Sequence, residues 1–136
     1  MHKPTTLFRH ARWLAAASLF MLGACTQTTS QQRYSNEQIQ HSRTALQSVR
    51  ESYDSGNYGD VITRVARDDR LHEAPSDIRV EALKLQAFSL CMRNYAAMCK
   101  ERFQTILSLQ PDFDLSDGER GHPQWGPVFE QAKQVQ

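Results

Sequence analysis

The stretch DIRVEALKLQAFSLCMRNYAAMCKERFQTILSLQP, residues 77–111, decides the fold. Its first half, residues 77–92, carries two apolar stripes at helical spacing, which is typical of a helix packed on two sides. The stripes are Val80, Leu83, Ala87 and Leu90, and Ile78, Ala82, Leu85 and Phe88. Its second half, residues 95–109, places Met98, Cys99, Phe103 and Ile106 inward, and Pro111 ends it. Since strand alternation occurs nowhere in the sequence, these two helices predict an all-α fold.

A second pair of helices is predicted upstream. Ser35-Asn-Glu-Gln38 has the form of a capping box, and the helix that it opens runs to about Asp54, before Gly56. The next helix begins at Asn57 and Tyr58. Together these segments predict a second helical hairpin.

The remaining segments are shorter. Residues 68–76 are charged and contain a proline, which predicts a loop. Near the end of the chain, Pro127 suits the first turn of a last helix that caps the stack. The inner side of that helix is expected to consist of Val128, Ala132 and Val135.

Shifting the chain by 37 residues superimposes the two hairpins, since Asn57-Tyr58 falls on Asn94-Tyr95 and Leu46 falls on Leu83. The second hairpin resembles the tetratricopeptide repeat at Leu83, Ala87, Leu90, Cys99, Phe103, Ile106 and Pro111. In this register Arg50 occupies a position where the repeat has a small residue. The sequence therefore predicts a short tetratricopeptide-like domain of two hairpins plus a C-terminal capping helix. The alternative is two unrelated helical hairpins.

Composition fits one ordinary globular domain. The chain has 136 residues, of which 40% are hydrophobic and 23% are charged, and its formal net charge is +1. Because 16 basic residues oppose 15 acidic ones, there is no polycationic field of the kind that nucleic-acid binding requires.

The N-terminal segment has the pattern of a lipoprotein leader. Residues 1–24 combine a basic start with a short apolar stretch, and they end in Leu22-Gly23-Ala24 before Cys25. These four residues resemble the lipobox of bacterial lipoproteins, which implies that Cys25 carries a covalent lipid. Residues 25–34 then form the lipidated cysteine and a polar tether, and residues 35–136 form the helical domain. Thr26 follows the cysteine instead of the aspartate of inner-membrane retention, so we expect the periplasmic face of the outer membrane. The alternative is an ordinary signal peptide followed by a chance cysteine.

Cys91 and Cys99 fall on either side of a tight turn between antiparallel helices. In an oxidising compartment such a pair predicts a disulfide, against the alternatives of two buried free thiols or a metal site. A metal is the weakest of these because no histidine lies at ligand spacing. No metal and no cofactor beyond the covalent lipid are expected.

The C-terminal segment contains Phe-Asp-Leu at residues 113–115, Glu119 and His-Pro-Gln-Trp-Gly-Pro at residues 122–127. Together with the lipobox, the repeat pair and the two cysteines, this ending resembles the TssQ-type lipoproteins associated with bacterial type VI secretion. The resemblance implies a non-enzymatic accessory that binds protein components of the secretion apparatus, without nucleic acid or a small-molecule substrate. The alternatives are a pilotin or an outer-membrane assembly lipoprotein, and an enzyme or small-ligand carrier.

Partner binding is expected on the concave face that the first helices of helical repeats usually form. The candidate residues there are Arg43, Arg50, Lys84 and Arg93. The alternative site is the segment that contains Phe113 and Trp125, two residues that are also expected to plug the space between the last hairpin and the cap. A solvated polar face without a partner is the other interpretation of these positions.

Overall fold

The computed structural model describes residues 34–134, which form an all-α domain. The predicted leader, the lipidated Cys25, most of the tether and Val135 lie outside these residues. The helices are α1 (Asn36–Asp54), α2 (Tyr58–Arg67), α3 (Asp69–His72), α4 (Ser76–Met92), α5 (Ala96–Leu109), α6 (Asp117–Arg120) and α7 (Gly126–Lys133). Within the described part of the chain, no helix is long and apolar enough to cross a membrane.

The predicted capping box at the start of α1 is confirmed. The hydroxyl of Ser35 accepts a hydrogen bond from the backbone N–H of Gln38 at 3.1 Å, and the Gln38 side chain accepts one from the backbone N–H of Ser35 at 2.9 Å. These two bonds satisfy N–H groups that a helix start otherwise leaves without partners.

The prediction of a loop over residues 68–76 is wrong in part, because α3 lies within it. The side chain of Asp68 accepts a hydrogen bond from the backbone N–H of Arg70 at 3.1 Å and so caps this single turn. The turn buries Leu71, which is only 1% exposed. One buried leucine makes no periodic pattern, so periodicity in the sequence could not predict this short helix.

The turns of the two hairpins correspond at a shift of 38 residues rather than 37. In each turn an N–H bonds to the carbonyl five residues earlier, from Asn57 to Ser52 and from Tyr95 to Leu90, both at 2.8–2.9 Å. This register places buried Val49 on Ala87 and removes the apparent mismatch at Arg50. The alignment of Asn57-Tyr58 with Asn94-Tyr95 was therefore wrong by one residue.

The core lies around α4, which packs against α1, α2, α3 and α5, as its two apolar stripes predict. Ala87 of α4 and Cys99 of α5 are fully buried, so the small pair lies where the two helices pack. The C-terminal α7 packs on α5 and buries Ala132 as predicted. Its large core residue is Phe129, however, and the expected Val128 is only partly buried.

Candidate functional site

A groove runs between α1 and α4, the first helices of the two hairpins. A cavity of about 330 Å³ lies between them, with Arg43, Gln47 and Arg50 on the α1 side and Asp77 and Glu81 on the α4 side. The apolar floor consists of Leu46 and Ile78, both of which are buried. This is the face on which the sequence predicted partner binding.

A second cavity of about 330 Å³ extends the same groove towards the C-terminal segment. Asp77 and Glu81 line both cavities, so the two are adjacent along α4. Lys84, Phe113 and Asp114 line the far end. We refer to the two cavities together as the α1–α4 groove.

Arg50 forms an ion pair with Glu81 across the groove. Its Nη2 and Nε atoms lie 2.6 Å and 2.8 Å from the same oxygen, Oε1 of Glu81. The two side chains are 43% and 38% exposed, so solvent screens the pair and its contribution to stability is small. Its geometric effect is larger, because it connects the two walls of the groove.

Lys84 forms the second ion pair, with Glu119 of α6 at 2.6 Å. The same carboxylate accepts a hydrogen bond from the backbone N–H of Ser116 at 3.0 Å and completes the capping box of α6. Burial alone would raise the pKa of Glu119, but the hydrogen bonds from Lys84 and Ser116 outweigh it, and the pKa lies below its usual value. An ion pair between Lys84 and Glu119 therefore connects the C-terminal segment to α4.

The structure brings Arg43, Arg50, Lys84 and Phe113 to one groove. Arg50 and Lys84 are already neutralised by carboxylates of the same chain, whereas exposed Arg43 has no carboxylate at ion-pair distance within residues 34–134. Of the predicted basic residues in the groove, Arg43 thus has the charge that is most available to a partner.

Arg93 and Trp125 lie elsewhere. Arg93 follows α4 at the hairpin turn, where its guanidinium lies 6.0 Å from the ring centroid of Tyr95. Trp125 is only 7% exposed and stacks between Phe88, at 4.2 Å, and His122, at 3.3 Å, measured between ring centroids. Its expected role as an apolar plug fits this position, but its surface is not available to a partner.

The structure joins Cys91 and Cys99 in a disulfide with a Cα–Cα distance of 5.4 Å. Both residues are buried, at the end of α4 and in the first turns of α5. The bridge ties the second hairpin together near its turn and takes no part in the groove.

Sequence reasoning missed the carboxylates that pair with Arg50 and Lys84. Glu81 and Glu119 lie 31 and 35 residues from their partners Arg50 and Lys84, so no local spacing reveals the pairs. The one available signal was that Asp77 and Glu81 share a face of α4, since residues four apart are neighbours on a helix.

Within the part of the chain that the structure describes, no group of three or more His, Cys, Asp or Glu side chains could hold a metal ion. No family model, curated protein or solved structure matches this chain.

Proposed function

We propose that the protein is a non-enzymatic, protein-binding accessory of a bacterial type VI secretion system, attached by a lipid on Cys25 to the periplasmic face of the outer membrane. The observation that carries the binding role is the α1–α4 groove, whose walls are the first helices of two hairpins. Such surfaces commonly receive a peptide or a helix. The assignment to type VI secretion rests on the sequence resemblance.

The chemistry of the groove favours a polar partner segment of mixed charge. Its floor has the apolar Leu46 and Ile78, while its rim carries both carboxylates and basic groups. The half-exposed Arg50–Glu81 pair can exchange its internal contacts for contacts with a partner at little cost, because solvent already screens it. A partner with an acidic side chain opposite Arg43 would complement the positive charge of Arg43, which no carboxylate of residues 34–134 neutralises.

The lipid anchor supports binding to a shallow surface. Two hairpins provide only a short groove, so the intrinsic affinity is modest. Confinement of both partners to the outer membrane raises their effective concentration and compensates for this.

Site-specific photo-crosslinking tests the proposal. A photoreactive residue replaces Gln47 in the groove, and the matched control places it at Thr63, an exposed position of α2 outside the groove. In cells that express a type VI system, the Gln47 position is expected to crosslink to a component of that system, identified by mass spectrometry, and the Thr63 position is not. Crosslinks to pilus or outer-membrane assembly proteins, or equal crosslinking at both positions, would contradict it.

A further inference from the structure

A separate pocket of about 160 Å³ lies between α3, α4 and α5. Arg79 of α4, Arg102 of α5 and His72 of α3 line it. Leu71 and Leu83, both buried, contribute its apolar floor. We refer to this site as the arginine pocket.

The arginine pocket lies on the opposite side of α4 from the α1–α4 groove. With a helical turn every 3.6 residues, Arg79 and Leu83 project from one face of α4, and Asp77 and Glu81 project from the other. A ligand in the pocket is therefore independent of the proposed function of the groove.

Neither arginine of this pocket is neutralised by a carboxylate of the described residues. Over residues 34–134, no carboxylate lies at ion-pair distance from Arg79 or Arg102, whereas Arg50, Arg64 and Lys84 each have one. The Nε atom of Arg102 is moreover buried without a hydrogen-bond partner in this same part of the chain. Buried donors of this kind are rare, because an unmade hydrogen bond costs free energy.

The imidazole of His72 forms one wall of the pocket, and a hydrogen bond holds it in place. Its Nε2 lies 2.7 Å from the backbone oxygen of Val65, so this nitrogen donates its proton to the carbonyl. Arg79 and Arg102 are the two guanidinium groups that line the pocket beside this ring.

We propose that the arginine pocket binds one small oxyanion, a carboxylate or phosphate group, through Arg79 and Arg102. The planar guanidinium matches the geometry of both groups and binds them through paired hydrogen bonds. The apolar floor lowers the local dielectric constant and strengthens such bonds. At about 160 Å³ the pocket is smaller than the roughly 300–1,000 Å³ of sites that enclose whole ligands, so it accepts a single group.

Titration of the full chain in detergent, labelled with ¹⁵N-arginine, tests this assignment. Sodium phosphate and sodium acetate are added in separate experiments, with sodium chloride at matched ionic strength as the reference. We expect the Nε–H resonance of Arg102 to shift saturably with at least one of the two anions and not with chloride. A stronger response to phosphate indicates a phosphate-bearing ligand, and a stronger response to acetate indicates the carboxylate of a peptide or a free acid.

Three variants locate the site. Arg102→Lys keeps the charge but loses the guanidinium, Arg79→Gln removes a charge, and Arg67→Gln removes the charge of an exposed arginine of α2 as a control. The resonance of the remaining pocket arginine reports binding, and circular dichroism checks the fold. Anion binding is expected to weaken about tenfold or more in the first two variants and to stay unchanged in the third. The absence of a saturable shift in the wild-type protein, or equal weakening in all three folded variants, would overturn the proposal.

Discussion

Reduction of the Cys91–Cys99 disulfide is expected to lower the free energy of unfolding by about 2.5 kcal/mol. The bridge closes a loop with a sequence separation of 8 residues. In the chain-entropy model, opening a loop of that size returns to the unfolded chain an entropy worth about 2.5 kcal/mol at 25 °C. We expect the folded hairpin to retain its packing on reduction, because α4 and α5 pack against each other and both cysteines are buried.

Urea unfolding followed by circular dichroism measures this loss in the full chain. A small domain has a urea dependence of about 1–3 kcal/mol/M, so reduction is expected to lower the unfolding midpoint by about 0.8–2.5 M. The reduced wild-type protein is the direct comparison, because it keeps both sulfur atoms in the core and loses only the covalent bond. The Cys91→Ala/Cys99→Ala variant serves as a second comparison and adds the cost of the small cavity left at Cys99.

Two results would refute this reasoning. One is the titration of two free thiols in protein that was extracted from the outer membrane and denatured without reductant. The other is a midpoint that moves by less than about 0.3 M on reduction, since that corresponds to well under half of the calculated loss.

Three further predictions concern separate parts of the chain. Trp125→Ala is expected to destabilise the protein by about 3–5 kcal/mol because it empties a stacked core position, whereas Tyr95→Ala, at a side chain 48% exposed, changes the urea midpoint little; similar values for both would place Trp125 outside the core. The bonds that lower the pKa of Glu119 stabilise the fold fully above the ordinary pKa of 4.5, and this contribution is lost as the pH falls through the lower pKa of the folded state. Lys84→Met should therefore flatten the acid side of the stability–pH curve, and an unchanged curve would refute this. Cys25→Ser should abolish lipid labelling and release the protein from the outer-membrane fraction, and unchanged labelling and fractionation would contradict the lipobox interpretation.

The helices themselves followed from the sequence because their signals are local. The capping box at Ser35, the apolar stripes of residues 77–92 and the proline at the start of α7 each act within a few residues. Such patterns survive in any tertiary context that buries the apolar side. The bounds of α1, α2, α4 and α5 therefore agree with the prediction to within about one residue.

The register and the chemistry of the groove depend on contacts that no local pattern contains. The shift of 37 residues relied on identical residue pairs, whereas the turns fix the shift at 38 through their hydrogen bonds. Arg50 and Lys84 looked like free positive charges because Glu81 and Glu119 reach them only after folding. Trp125 matched both a core and a surface role in sequence, and only the packed rings of its neighbours decide between them.

The α1–α4 groove is the proposed binding surface for a protein component of the secretion apparatus. A variant that tests the groove should leave the fold intact. Arg43→Glu meets this condition, whereas a glutamate at position 50 or 84 would lie beside the carboxylate that now pairs with Arg50 or Lys84 and repel it. Arg67→Glu is the matched control, because Arg67 is also an exposed helical arginine without a carboxylate at ion-pair distance in residues 34–134, and it lies outside the groove.

The most direct measurement is type VI secretion in cells that carry either variant as the only copy of this protein, with lipid attachment and abundance shown to be equal. The loss of one rim contact weakens partner binding by about 1 kcal/mol or more, roughly fivefold. Secretion is therefore expected to fall with Arg43→Glu and to remain at the wild-type level with Arg67→Glu. Normal secretion with Arg43→Glu, or the same loss with both variants, would contradict the assignment of the groove as the binding surface.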